Sequence, residues 1–421
     1  MHKAFEILKT HSKLGVVFSL AKATVFFTPL LLADVLSKEA FGILEYALAG
    51  LGMVVNSIIN LGVPGAYPYF ILRQKALRFQ DAFKLHPLIL LIPFILNQIL
   101  FYVFDLNINF YLAFNVSYII ANQTFYSTRL KSHEKSVFAV IMDSGLYILL
   151  LLYYLLFTLN ILKINIVNIN ITIQLYCYLY ILYGVYKFYQ IDKNEILFRY
   201  KQILKFSSHL LISTFLIFLI TTSGRILIEL FFDFSQVGIY AYYFRLSAIV
   251  VMIHQIVNIA FFKKIYTANP IKLDNYYFVF FVMIFLISMV TYLIAPLVLN
   301  HFSSFFNDTY NDNKAIYFLL SVQMVMWIAT ALNSNIIDRE NLTSKNNPKF
   351  IALIIFSCGI LYLLRNMMSL SLLTFIHLSI IYFASLIQYE SLYKSKIIFK
   401  KSFFTLSVIY LVSTYTYFSF L

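Results

Sequence analysis

Long apolar runs, each closed by a short polar or basic stretch, recur along the whole chain. About 20 apolar residues in helical form cross the ~30 Å hydrocarbon layer of a bilayer. On that rule the first half of the chain predicts spans at about 14–33, 41–61, 85–104, 110–127, 137–159 and 171–189. The second half predicts spans at about 206–232, 237–262, 276–299, 315–337, 350–364 and 369–389, and a last apolar run, 402–421, gives room for a thirteenth. A β-barrel would instead show segments of about ten residues with period-two alternation, which the sequence lacks.

The stretch 221–264 organises the second half. An apolar segment carrying Arg225 and Glu229 is interrupted at Asp233-Phe234-Ser235-Gln236, and a second one follows, opened by Val237-Gly238-Ile239-Tyr240, carrying Arg245 and closed by Lys263 and Lys264. Ser37 to Tyr46 echoes Asp233 to Tyr242 at an offset of 196 positions, with Gly, Ile and Tyr coinciding. Ser37 and Asp233 each stand where a helix N-cap is expected. The offset is close to half of the 421 residues, as expected for two related halves. The predicted division is a bundle at 1–190, a basic cytoplasmic connector at 191–205, a second bundle at 206–392, and a basic patch with an extra helix at 393–421.

Composition agrees with a membrane protein: 61% of residues are hydrophobic and only 12% charged, against about 25% charged in soluble domains. The net charge of +14 comes from basic residues concentrated at span ends on one side; only Lys38, Lys163, Lys314 and Arg365 stand on the other. That asymmetry orients the N-terminus to the cytoplasm and gives the charge a topological meaning, so no nucleic-acid partner is expected. The basic, then apolar, N-terminus lacks a clear cleavage site and reads as a retained first helix. Cys177 and Cys358 sit in apolar segments and read as small hydrophobes. There is no G-x-x-x-x-G-K-[ST], H-E-x-x-H or C-x-x-C sequence, and the eight histidines are scattered. No metal, cofactor, direct use of ATP or catalytic group is therefore expected.

Phe41-Gly42-Ile43 with Asn60-Leu61-Gly62-Val63, and Gly224-Arg225-Ile226-Leu227-Ile228 with Val237-Gly238-Ile239-Tyr240, carry a family likeness. In these residues and in its span layout the chain resembles the polysaccharide flippases, the O-antigen (Wzx-type) transporters of the multidrug/oligosaccharidyl-lipid/polysaccharide exporter superfamily. One departure is Gly224, where many members of that family carry an acidic residue. The resemblance implies an all-α polytopic fold of 12 helices, or 13, in two pseudo-symmetric six-helix bundles around a central cavity. It implies export of an undecaprenyl-diphosphate-linked oligosaccharide across the bacterial inner membrane by ion-coupled alternating access, with membrane lipids and other polysaccharide-assembly proteins as further partners. The alternatives are a related exporter of another lipid-linked glycan or a drug, and an integral-membrane glycan polymerase. A polymerase would be expected to carry a long external loop with catalytic Arg or His; the longest here, 300–313, has one His and no Arg.

Ionisable residues at membrane depth are the candidate site residues, because a charge there is costly unless it serves water, a partner or a ligand. Lys22, Arg225 and Arg245 are expected to form a cationic surface for the diphosphate, Arg being suited to forked phosphate contacts. Glu229, Asp143 and Glu45 are the candidates for ion coupling. Glu229, four residues after Arg225, is also placed to pair with it on one helix face. Glu45 is placed near the outer end of its span, within reach of the interface. His254 and Asn258 read as helix-packing polar groups.

Overall fold

A computed structural model describes residues 2–189, 195–255, 269–340 and 342–420, with side chains from Gly15 onward other than those of Asp338 and Thr343. Among the described residues every regular element is helical. The chain divides into two compact units, Met1–Phe218 and Leu219–Leu421.

The first unit holds α1 (His2–Ala33), α2 (Lys38–Ala49), α3 (Leu51–Ile59), α4 (Val63–Pro68), α5 (Gln80–Phe83), α6 (His86–Ile89), α7 (Leu91–Phe104), α8 (Ile108–Ser132), α9 (Ser136–Thr158), α10 (Ile166–Tyr189) and most of α11 (Ile196–Thr221). Its axis is α8, which packs on α2, α3, α4, α7, α9 and α10. This enclosure explains the polar content of α8. Asn115, Ser117, Asn122 and Gln123 are buried, and Asn97 of α7 donates to Asn115 Oδ1 at 2.9 Å. Interhelical hydrogen bonds of this kind hold helices together where lipid gives no hydrophobic drive.

Punctuation in the first unit follows its sequence. Ser37 caps α2 by accepting from the Ala40 N–H at 3.1 Å, and Asn107 caps α8 by accepting from the Asn109 N–H at 2.9 Å. Gly62 turns the chain into α4 in the left-handed region, φ 69°, where a Cβ would lie 2.4 Å from the Ser207 carbonyl oxygen of α11. Only glycine meets both demands. The region around Pro87 and Pro93 is interrupted into α5, α6 and α7, which lie within one candidate span, Leu77–Phe104.

The second unit holds α12 (Gly224–Phe231), α13 (Phe234–Ser247), α14 (Ile249–Gln255), α15 (Pro270–Leu299), α16 (Ser304–Arg339), α17 (Thr343–Leu364), α18 (Leu370–Lys394) and α19 (Lys400–Phe420). Its core is α16 with α18, which are largely buried, whereas α15 and α17 leave most of their length uncovered. The poorly buried helices present large apolar side chains outward, such as Leu286, Leu293 and Leu297 of α15, as a lipid-facing surface requires.

Among the described residues eleven helices are long and apolar enough to cross a membrane, or twelve if α13 and α14, bent by 47°, form one broken span. The chain is thus a multi-pass α-helical membrane protein. The predicted fourth span corresponds to α8, whose buried amides lower its hydropathy although its 25 residues suffice in length. The last apolar run forms α19.

Two boundaries differ from the sequence reading. The stretch 191–205 is helical from Ile196, so its basic residues Arg199, Lys201 and Lys205 occupy the first turns of α11; residues 190–194 lie outside the described set. The predicted seventh span stops at Thr221 and restarts at Gly224, which places Arg225 and Glu229 on the separate short helix α12. The polar segment 300–313 is also mostly helical, joined to the rest of α16 across a kink at Asn313.

A buried carboxylate anchors α19. Asp274 of α15 accepts from the N–H groups of Lys401 and Ser402 at 2.9 and 2.8 Å and from the Ser402 hydroxyl at 2.7 Å. It satisfies donors that a helix start leaves open, and its charge suits the positive end of the helix dipole. Asp274→Ala should therefore lower stability by about 1–3 kcal/mol, and Asp274→Asn by less. Thermal unfolding in detergent checks the order, and proteolysis of the segment before α19 should accelerate in the Ala variant.

Candidate functional site

The six candidate residues divide between the units. Lys22, Glu45 and Asp143 belong to the first, and Arg225, Glu229 and Arg245 to the second.

In the first unit, α1 packs along α9. Lys22 is half-buried on α1, with its ammonium 5.8 Å from the centre of the Phe18 ring. It feels the charges of Asp143 on α9 and Lys131 on α8. Asp143 and Lys131 form an ion pair at 2.7 Å. The pair is partly exposed, so its contribution to stability is about 0–1 kcal/mol. Lys22, assigned from sequence to phosphate binding, and Asp143, assigned to ion coupling, thus share one electrostatic neighbourhood, and the carboxylate is already engaged by Lys131.

Glu45 departs from expectation. It is 0% exposed, within a run from Phe41 to Leu48 that is buried throughout. The reason is the packing of α2 on α8, with α1, α3 and α10 also against it, which covers Glu45 although the first turn of α2 stays partly exposed.

The second unit carries the more developed constellation. Arg225 is 2% exposed, and its guanidinium carbon lies 4.5 Å from the centre of the Phe244 ring. Tyr240 and His377 also lie within its electrostatic reach. Stacking of a guanidinium on an aromatic face gains when both are desolvated. His377 of α18 is buried, with Nε2 3.2 Å from the Ile220 carbonyl oxygen and Nδ1 3.4 Å from the Tyr240 hydroxyl. The Ile220 carbonyl belongs to the last turn of α11, where helical partners run out. A protonated Nε2 that donates there leaves Nδ1 to accept from Tyr240. The break between α11 and α12 is thereby tied to α13 and α18.

Gly224 is part of this arrangement. A Cβ there would lie 2.4 Å from the Tyr240 hydroxyl and 3.1 Å from His377 Nδ1. That contact gives a physical account of the glycine: Tyr240 and His377 occupy the space a side chain would need.

Glu229 does not pair with Arg225. It is half-buried in the last turn of α12 and makes no ion pair or hydrogen bond among the described residues, while the guanidinium is held on Phe244. The predicted one-turn pair therefore gives way to an aromatic contact. Arg245 is buried in the last turn of α13, just before the bend at Ala248, one residue beyond the Phe244 that carries Arg225. His254 is buried, with its ring centre 6.3 Å from that of Trp327. Asn258, Lys263 and Lys264 lie outside the described residues.

Sequence reasoning missed Phe244, Tyr240 and His377 as companions of Arg225. Tyr240 and His377 are 137 positions apart, beyond any local pattern. The one available signal was Gly224, a glycine opening a helix in an apolar stretch. A cavity of about 750 Å³ forms an apolar groove between α17 and α18 with the Lys349–Glu390 ion pair at one end, and none of the six candidates lines it.

Comparison with protein-family models, with curated proteins and with solved structures found no match to the chain.

Gly224→Ala should force Tyr240 aside and cost about 1–3 kcal/mol, as overpacking does. In a Tyr240→Phe background, which removes the nearest atom, the same substitution should cost less. A double-mutant cycle on unfolding temperature checks this, and equal costs in both backgrounds would refute the proposed crowding.

Proposed function

We propose that this membrane protein is a flippase that moves an undecaprenyl-diphosphate-linked oligosaccharide, an O-antigen or similar surface-polysaccharide unit, across the bacterial inner membrane. It works by alternating access between two related helical halves, drawing on an ion gradient, with the N-terminus and the basic loops in the cytoplasm. No chemical step is assigned to it.

The reading rests on the resemblance at Phe41-Gly42-Ile43 and Gly238-Ile239-Tyr240 and on the basic-loop asymmetry. Ser37 and Asp233 both act as side-chain caps, accepting from the N–H three residues on, at 3.1 and 2.8 Å. The single observation that carries it is the burial of Arg225 against Phe244, with Arg245 buried at the end of the same helix. Unaided passage of a diphosphate head through hydrocarbon is prohibitive. Permanent cations held at membrane depth lower that barrier, while the lipid tail stays in lipid.

The test is complementation of cells that lack their own polysaccharide flippase, with protein levels matched. Arg225→Ala and Arg245→Ala should each reduce surface polysaccharide about tenfold or more, the scale of one lost charge-assisted hydrogen bond. Arg225→Lys should recover part of it, and Lys22→Ala should show a smaller loss. Full export by all three Ala variants would overturn the assignment. Export that persists after collapse of the proton and Na⁺ gradients would remove the coupling role from Asp143, Glu45 and Glu229.

A further inference from the structure

At one end of the first unit, three chain segments converge on a cavity of about 240 Å³. The last turn of α8 supplies Arg129, the α8–α9 turn supplies His133 and Lys135, and the last turns of α10 supply Tyr183 and Lys187. Tyr126, one turn before Arg129, lines it as well. No carboxylate is among the lining residues. Glu134 stands in the same turn between His133 and Lys135 without lining the cavity, and Asp143 on α9 is held by Lys131.

Two features separate this cavity from basic residues that merely mark a membrane face. The first is convergence: Arg129, Lys135 and Lys187 come from different elements yet line one concavity. The second is Tyr126, which is 4% exposed and whose hydroxyl is buried without a hydrogen-bond partner. A buried polar group is normally satisfied, so an orphaned hydroxyl lining a cationic cavity calls for an acceptor. Neighbours hold the cations in place. Lys187 lies over the Tyr183 and Tyr186 rings at 5.6 and 5.0 Å, and the Tyr67 hydroxyl is 3.0 Å from His133 Nε2. Burial raises the Tyr67 phenol above its ordinary value, with Arg129 opposing, so it faces His133 as a neutral group.

We propose that this cavity is a binding site for a phosphoryl group, with Arg129, Lys135 and Lys187 supplying charge and the Tyr126 hydroxyl donating a hydrogen bond. Basic pockets between transmembrane helices take anionic headgroups, and Arg presents paired donors to phosphate oxygens. The phosphoryl group can belong to a lipid headgroup or to a soluble phosphate. The site belongs to the first unit, Arg225 and Arg245 belong to the second, and the inference does not rest on the flippase reading.

The test uses the full chain in phosphatidylcholine nanodiscs with a minor fraction of phosphatidic acid, read by native mass spectrometry of retained lipid. A parallel arm titrates inorganic pyrophosphate into phosphatidylcholine-only nanodiscs, read by thermal shift. Arg129→Gln, Lys135→Gln and Lys187→Gln should each weaken retention or binding about fivefold, the scale for one cation near a membrane surface. Tyr126→Phe should weaken it with little change in the unfolding temperature of the unliganded protein. Lys163→Gln, which removes a charge elsewhere, should change neither. Phosphatidic acid enrichment that pyrophosphate does not displace assigns a lipid source, and pyrophosphate binding without enrichment assigns a soluble one. Absence of both, or binding by either that all four cavity variants leave intact, overturns the site.

Discussion

A helix that stops inside hydrocarbon leaves carbonyls and N–H groups that lipid cannot satisfy. This chain stops its helices often, and the side chains placed at those stops account for much of its tertiary structure. The end of α11 is met by His377, the start of α13 by Asp233, the start of α2 by Ser37, and the start of α19 by Asp274. Two of these caps are local in sequence and two reach across from another helix. The long-range ones do more, because each fixes the position of one helix against another at the moment it satisfies the backbone. Arg225 is set by such a stop: without the break at Thr222-Ser223 it would continue the straight face of α11, and with it the guanidinium lies on Phe244.

The features legible in the sequence are those that depend on near neighbours. Apolar run length located the membrane helices, and the cap residues Ser37 and Asp233 located the starts of α2 and α13 to the residue. The features that escaped depend on distant partners. Glu229 four residues after Arg225 is a sound local pairing pattern, yet it loses to a ring on another helix. Glu45 looked like a span-end residue because nothing local announces that α8 covers α2. The opposite failure concerns α8 itself: enclosed by six other helices, it needs no apolar outer face, so its amides make it look less membranous than it is. Hydropathy reports contact with lipid, and the most central helix of a unit has the least of it.

The basic residues fall into two physical classes that composition merges. Arg225 and Arg245 are buried on short, broken helices, where a charge persists only because the surroundings are built for it. Arg129, Lys135 and Lys187 sit at helix ends, two of them in last turns, where a cation also complements the negative end of the helix dipole. The second class would exist for topology alone. Its convergence on one concavity with an orphaned tyrosine is a feature that topology does not require.

The carboxylates can be ranked by access rather than by charge. Asp143 is partly exposed, and an ion exchanging there must first open the Lys131 pair with Lys22 close by, so occupancy would be tied to the movement of α1 and α8 against α9. Glu45 is wholly enclosed, and an ion could reach it only if α2 and α8 separated. Glu229 is half-buried and has no partner to displace among the described residues, which makes it the least dependent on a conformational change. Coupling requires the opposite property, an ion site whose access differs between states, since a ligand that binds two states equally shifts neither. On that criterion Asp143 and Glu45 are better placed than Glu229 for the proposed coupling.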